Sequence, residues 1–553
     1  MADATPVPAT SPGTPRFSIV TPVYDPPAHV LEAMLASVRE QTFTDWEHCL
    51  VDDGSPAPHV QQILQQAARR DPRVRVHRRE ANGGIVAASN DALAMAGGEF
   101  VALLDHDDEL RGDALELVDE ALEETPEADY LYTDEDKIDE AGHHSAAFFK
   151  PDWSPERFRS QMYTCHLSVL RRSVVDEVGG FHEGFEGSQD WDLVLRVTEK
   201  ARDVVHVPEI LYHWRTLPTS TASTNAQEAK PYAFAAGTRA VQAHCDRTGF
   251  EATVVADERL GGVYHLQPAL TERPSVSIVI PTAGTLRDVR GEEVTLVTHC
   301  VHSIVATSTY DNYEIVVVAD RSVGDDTLDD LQKLAGERLK VVPYLRPFNY
   351  SEKINVGVIA SRGEHVLMLN DDMEVIAPDW IERMLMYSRQ PGIGAVGAKL
   401  FFGDGTIQHA GVVFLPSGPG HTYRGFAGDY DGFYANARVV GNYTAVTGAC
   451  TMSRREVFDE VGGLTPRLPI NFNDMDYCLK LRFKGYRVVL DPDVRLYHFE
   501  SSSRDTKVRE WEHQILDDRW LWTVDPDPYY NPAFGPDDIH FIPPVYLADG
   551  SIT

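Results

Sequence analysis

Cysteine is scarce and scattered. Cys49, Cys165, Cys245, Cys300, Cys450 and Cys478 are the 6 in the chain, and no two form a Cys-x-x-Cys pair. This spacing argues against a disulfide framework or a cysteine-rich zinc site and favours a reducing compartment. Long apolar runs are missing too. No window approaches the roughly 18 residues needed to cross a bilayer, and the opening MADATPVPATSPGTPRF holds no apolar stretch of the kind a secretory signal carries. A soluble, cytoplasmic protein is expected. Positive charge is also short, with 50 Lys and Arg against 85 Asp and Glu, a formal net charge of -35. Such a balance speaks against a general nucleic-acid binder and against docking on anionic lipid through a broad basic surface, although a local basic patch can survive within it.

What is present is a foldable chain. Its 553 residues are 43% apolar and 24% charged, enough for two to four domains at roughly 100–250 residues each. Residues 1–15 are rich in Pro, Ala, Thr and Ser and read as a flexible leader. Phe17-Ser-Ile-Val-Thr-Pro reads as a buried strand ending in a loop, Val30–Glu40 has helical apolar spacing, and Trp46–Val51 is strand-like before Asp52-Asp53-Gly54-Ser55. Alternating strands and helices predict an α/β fold with a mostly parallel sheet covered on both faces.

The chain also repeats itself. Phe17-Ser-Ile-Val-Thr-Pro returns as Val276-Ser-Ile-Val-Ile-Pro, and Trp46-Glu-His-Cys-Leu-Val-Asp-Asp as Tyr313-Glu-Ile-Val-Val-Val-Ala-Asp. Gly98-Glu-Phe-Val-Ala-Leu-Leu-Asp-His-Asp-Asp returns as Gly363-Glu-His-Val-Leu-Met-Leu-Asn-Asp-Asp. Val175-Asp-Glu-Val-Gly-Gly-Phe matches Phe458-Asp-Glu-Val-Gly-Gly-Leu, and Leu211-Tyr-His-Trp matches Leu496-Tyr-His-Phe. Five blocks in one order predict two copies of a domain, too long for solenoid repeats. The offset grows along the chain, so the second copy carries an insertion, expected within Phe401–Tyr443. The expected division is 1–15 leader, 16–225 first copy, 226–273 connector, 274–524 second copy and 525–553 extended tail. Ala226–Thr248 reads as a helix and Phe250–Leu266 as strand-like, packed between the copies. Helix is expected again after Ser501 through Trp522, then a tail wrapping the surface.

The candidate chemistry lies at strand ends. Phe100–Leu104 runs into Asp105-His106-Asp107-Asp108, where open α/β sheets bind ligands and where two carboxylates can share a hard cation. The same residues could simply cap the next helix. Asp190 and Asp192 open a helical run, as do Asp474 and Asp476, and one of each pair could act as a general base. His213 follows Asp190 by 23 residues and His498 follows Asp474 by 24, a spacing that favours function over a structural aromatic stretch. Asp53 and Asp320 follow the second strand of each copy and suit nucleoside contacts. Asn82-Gly83-Gly84 could approach a ligand or form an ordinary turn.

These motifs, together with Ser18-Ile-Val-Thr-Pro-Val-Tyr-Asp and Ser89-Asn90, resemble the family 2 glycosyltransferases of GT-A fold over residues 17–220 and 274–505. The tandem arrangement is similar to bacterial enzymes that build O-antigen and related surface glycans. The resemblance implies Asp190 and Asp474 as catalytic bases. It places Thr21, Tyr24, Asp53, Asp105, Asp320, Asn370 and Asp371 at the donor, and Asp107, His213, Asp372 and His498 on Mg2+ or Mn2+. It further implies UDP-, dTDP- or GDP-sugar donors, a glycan or lipid-linked glycan acceptor, and peripheral association with the inner membrane face. The second copy departs at Asn370, in place of a carboxylate, and at Ala283, in place of Tyr24; Gln189 and Asn473 replace the Glu that often precedes the base. A binding role for one copy, or a nucleotidyltransferase of related architecture, are the alternatives.

Overall fold

The computed structural model describes residues 13–216, 231–499, 508–524, 526–536 and 538–544. In the first half, β1 (Phe17–Val23), β2 (Trp46–Asp52), β3 (Val74–Arg78), β4 (Phe100–Leu103), β5 (Glu109–Leu110), β6 (Ala128–Ile138), β7 (His144–Phe148), β8 (Ser168–Arg171) and β9 (Asp203–Arg215) build one sheet. Its order is β3-β2-β1-β4-β8-β6-β9-β5, with β7 beside β6. The β3, β2, β1 and β4 strands run parallel, β8 opposes β4 and β6, and β6 and β9 are parallel again. Helices Ala28–Arg39 and Ile85–Met95 supply the apolar surface that buries β1 and β2, as parallel strands require.

The second half repeats this order strand for strand: Leu339–Tyr344, Tyr313–Asp320, Val276–Thr282, His365–Leu369, Cys450–Arg454, Ile393–Phe401, Arg487–His498 and Met373–Val375. The repeated sequence blocks are therefore a repeated sheet, and part of what repeats is scaffold. Ser18 Oγ donates to Glu47 and accepts from Gly98 N–H, at 2.7 and 2.8 Å. Ser277 Oγ donates to Glu314 and accepts from Gly363 N–H, both at 2.7 Å. A Cβ at Gly98 would stand 2.7 Å from Ser18 Oγ, and one at Gly363 would stand 2.5 Å from Ser277 N. This close approach of backbone to strand is why glycine recurs there.

The insertion falls where the drifting offset put it, as strands Ile407–His409, Val412–Leu415 and Gly418–His421 followed by irregular chain. The connector helix is Pro231–Thr248, the start of the expected helix lying outside the described residues, and it packs on helix Gln189–Thr198. Hairpin strands β10 (Ala252–Ala256) and β11 (Tyr264–Pro268) follow, and His265 Nδ1 meets Asp493 of the second copy at 2.8 Å. The last helix is Glu510–Val524. Beyond it, the expected surface strap is instead wedged inward. Tyr530, Phe534 and Phe541 are buried, Phe534 packs on Phe149 and Phe433, and Asn531 Nδ2 donates to Asp134 at 2.7 Å. Three aromatic rings gain more from this inter-copy core than from the surface.

Candidate active sites at two strand ends

In the first copy β4 delivers Asp105, Asp107 and Asp108 to the carboxyl edge of the sheet. Asp108 is fully buried and structural, accepting from Tyr212 Oη at 2.5 Å and Arg215 N–H at 2.8 Å. Arg215 also donates from Nε to the Asp107 carbonyl at 2.8 Å, so the acidic loop is clamped by β9. Asp105 opens onto a cleft that it shares with Asp190, His166, Gln189 and Tyr212. Asp105 is open to solvent, yet desolvation by the surrounding protein raises its carboxyl against the pull of His166, and Asp107 and Asp190 raise it further by repulsion. Asp190 is raised as well, first by burial, against the opposing pull of His166. Its Oδ1 accepts the Trp191 N–H at 2.8 Å at the start of helix Gln189–Thr198. Asp192 faces the other way into a buried pair with Arg196, at 2.7 Å.

In the second copy three predicted groups converge. His498 Nε2 lies 3.1 Å from Asp372 Oδ1 and 3.3 Å from Asn370 Nδ2, while His498 Nδ1 meets Gln408 Oε1 at 2.6 Å. An amide oxygen accepts only, so Gln408 holds the proton on Nδ1 and leaves the Nε2 lone pair facing a carboxylate. Asp371 accepts from Thr282 Oγ1 at 2.6 Å. Asp474 Oδ2 accepts the Gly448 N–H at 2.9 Å, and Asp476, fully buried, is held by Thr465 and Trp520 at 2.6 and 2.9 Å.

Comparison with known proteins gives the family. The Glycosyl transferase family 2 profile matches residues 18–179, and a Glycosyltransferase like family 2 profile matches residues 274–520. The chain belongs to the family 2 glycosyltransferases. It is 43% identical over 531 residues to the uncharacterized protein y4gI of Sinorhizobium fredii, covering 94% of this chain and 57% of that one. It is 38% identical over 524 residues to the O-antigen biosynthesis protein RfbC of Myxococcus xanthus, covering 94% of this chain and 40% of that one. Chondroitin synthase of Escherichia coli is 31% identical over 206 residues, 37% of this chain and 29% of that one. The chain thus spans 57% and 40% of the length of the first two relatives.

Not every predicted group of this tandem glycosyltransferase lies where expected. His213 Nδ1 meets Asp136 at 2.6 Å and its ring meets His144 edge-on at 4.6 Å. No hydrogen bond or ion pair joins His213 to Asp107 among the described residues. Thr21, expected at the donor, is fully buried with its hydroxyl 3.0 Å from His48 Nε2. Val20 and Pro22 line the cleft instead, and strand alternation turns Thr21 to the opposite face. Tyr24 is exposed. Asp53 accepts from Gly83 and Gly84 N–H, each at 2.8 Å, and so pins the Asn82-Gly83-Gly84 loop. Asp320 pairs with Lys353 at 3.1 Å.

The sequence reading missed His166. Burial opposes its charge, but the hydrogen bond and charge of Glu135, with Asp108 and Asp105, outweigh that and raise it to about 9. A cation therefore stands in the acidic cleft at neutral pH. Its only local mark is the dipeptide Cys165-His166, outside every recognised motif. Among the described residues no helix is long and apolar enough to cross a membrane.

Proposed function

We propose that the chain is a bifunctional, metal-dependent, inverting glycosyltransferase. Each copy would move a sugar from a UDP-, dTDP- or GDP-linked donor onto a growing, lipid-carried surface glycan of O-antigen type, at the inner membrane face. The doubled strand-end acidic motif supports this reading, sharing a cleft with the helix-start Asp190 in the first copy and meeting His498 in the second. The printed names of the O-antigen and chondroitin relatives support the glycan class.

The residues fit a divalent cation. In the second copy the Asp372 carboxylate lies 3.1 Å from the His498 Nε2 lone pair, an oxygen and nitrogen pair that suits Mn2+ or Mg2+. In the first, carboxyls raised by burial and mutual repulsion form a charge surplus that a cation relieves. Asp372 with His498 would hold the ion in the second copy; in the first, Asp107 would hold it, and His213, whose Nδ1 is on Asp136, would have to reach it by Nε2. Asp105, Asn370 and Asp371 would face the diphosphate, with Tyr24, Asp53 and Asp320 toward the nucleoside. When bound, the cation neutralises charge on the departing nucleoside diphosphate. Asp190 and Asp474 take the proton from the acceptor hydroxyl as its oxygen attacks the anomeric carbon opposite the leaving group, which inverts that centre. A positioned base contributes about 10²–10⁴-fold, and burial raises the basicity of Asp190.

Purified protein with Mg2+ or Mn2+, a nucleotide-sugar panel and a glycan acceptor should release nucleoside diphosphate; no release from any donor ends the proposal. A second reading makes the second copy a module that positions the glycan, favoured by Asn370 in place of a carboxylate. An Asp474→Asn variant that leaves every linkage unchanged would establish it.

A further inference from the structure

One face of the second sheet is left open, and it is lined with charge. Lys399 and Phe401 on one strand, and Asp493, Arg495 and Tyr497 on its neighbour, are two residues apart along each strand and so share a face. Lys399 pairs in register with Arg495, and Phe401 with Tyr497. The β10–β11 hairpin and the chain around Gly428 and Arg438 wall this face into a cleft of about 630 Å3.

In a chain of net charge -35, the cleft gathers Arg259, Arg383, Lys399, Arg438 and Arg495. Its inner carboxylates are already neutralised. Asp257 accepts from Arg438 at 2.9 Å and meets His265 at 2.8 Å; Asp493 meets His265 at 2.8 Å and accepts from Arg383 at 3.3 Å. Glu258 and Asp429 stand exposed at the rim. Lys399 and Arg495 form no salt bridge among the described residues. Lys399 is only 3% exposed, and its ammonium donates to the Ala437 carbonyl at 3.0 Å. Burial, with Arg438 and Arg495 beside it, lowers it to about 8. Asp493 and Asp431 attract it without pairing with it, and a buried cation with no paired counter-charge is costly unless something supplies one.

The matching place in the first copy is filled. Its Asp134 pairs in register with Ile210 as Lys399 does with Arg495, and is covered by His206 and Asn531 at 2.9 and 2.7 Å.

We propose that this cleft is a subsite for an acidic sugar residue of the acceptor glycan, its carboxylate on Lys399 and Arg495 and its ring beside Tyr497. It rests on the transferase reading of the second copy, whose His498 directly follows Tyr497. A single carboxylate supplies the missing counter-charge, and Tyr497 in the cleft wall favours a sugar over a bare anion.

Calorimetric titration of the full chain tests this with a tetrasaccharide alternating glucuronate and N-acetylglucosamine, its carboxyl-reduced neutral counterpart, and inorganic pyrophosphate. The acidic saccharide should bind about tenfold more tightly than the neutral one, and Arg495→Gln and Lys399→Met should each erase about tenfold of that affinity. UDP binding should be unchanged in both variants. Arg495 is exposed, so its variant keeps the fold, which an unchanged Tm verifies. Equal affinity for the two saccharides, preference for pyrophosphate over the acidic saccharide, or indifference to Arg495→Gln overturns the subsite. Nucleotide-sugar turnover without saccharide preference sinks the subsite alone, whereas saccharide preference without turnover sinks the transferase reading alone.

Discussion

The two copies share a strand order and differ in how they balance charge at the same edge. The first sets Asp105, Asp107, Asp108 and Asp190 around a cationic His166. The second has Asn370 where the first has Asp105 and, by strand register, Ala449 where it has His166. The late histidines differ in the same sense: His213 Nδ1 rests on the carboxylate of Asp136, and His498 Nδ1 on the amide of Gln408. A carboxylate behind an imidazole makes its other nitrogen a stronger ligand than an amide does. Duplication has kept the Ser–Glu–Gly scaffold nearly to the ångström while the electrostatics of the sites have moved apart. The first copy offsets many negative charges with a built-in cation; the second starts with fewer.

The strongest way to break this comparison is to remove one base at a time. Asp190→Asn and Asp474→Asn should each abolish a different linkage, lowering its formation by about 10²–10⁴-fold and sparing the other, as product analysis would read. Loss of the same linkage from both variants would show the copies to be one site. Next in size is the contrast between neighbouring aspartates. Asp192→Ala leaves Arg196 buried and uncompensated and should cost about 3–5 kcal/mol in denaturant unfolding, whereas Asp190→Asn should leave stability nearly unchanged. Equal destabilisation by the two would remove the division between chemical and structural carboxylates.

How far the sequence foretold this follows from how far apart the partners lie along the chain. The duplication, the parallel sheets and the acidic strand ends were legible because each is local: an apolar run of about one strand, then Asp or Asn at its end. Thr21 was misread for a local reason as well, since one residue of alternation separates it from Val20 and Pro22, which face the cleft. His166, Asp136 and Gln408 were illegible because strand pairing, not spacing, brings them to the site. Asp136 reaches His213 across the β6–β9 register. The terminal aromatics looked like a surface strap because the cavity receiving them is built by Phe149 and Phe433, from two other regions.

A smaller effect sharpens the role of the first-copy cation. His166 is at about 9 in the folded chain, above its ordinary value near 6.5. The stability it contributes is therefore fully present below about pH 6.5 and is lost as pH rises through about 9. Glu135, whose Oε2 meets His166 Nδ1 at 3.0 Å, supplies the largest opposing pull to burial. Thermal melts of wild type and Glu135→Gln should differ most below pH 6.5 and converge toward pH 9. A gap independent of pH would mean that Glu135 acts through Lys150, 3.7 Å away, and not through His166.

The smallest expected effect bears most directly on why the copies differ. If the second site binds its cation with less charge because Asn370 is neutral, then Asn370→Asp should tighten Mn2+ by roughly three- to tenfold, since ligand charge sets divalent affinity. Titration in an Asp107→Asn background isolates the second site. The gain should come without a cation in the place of His166, because Ala449 stands there in the second copy. The new charge must instead be balanced by the ion itself, so Asn370→Asp should also make folding stability depend on Mn2+, with a Tm that rises on adding metal more than in the parent. An unchanged Mn2+ affinity would place the ion away from Asn370, Asp372 and His498, and the contrast between the two edges would then concern the scaffold rather than the metal.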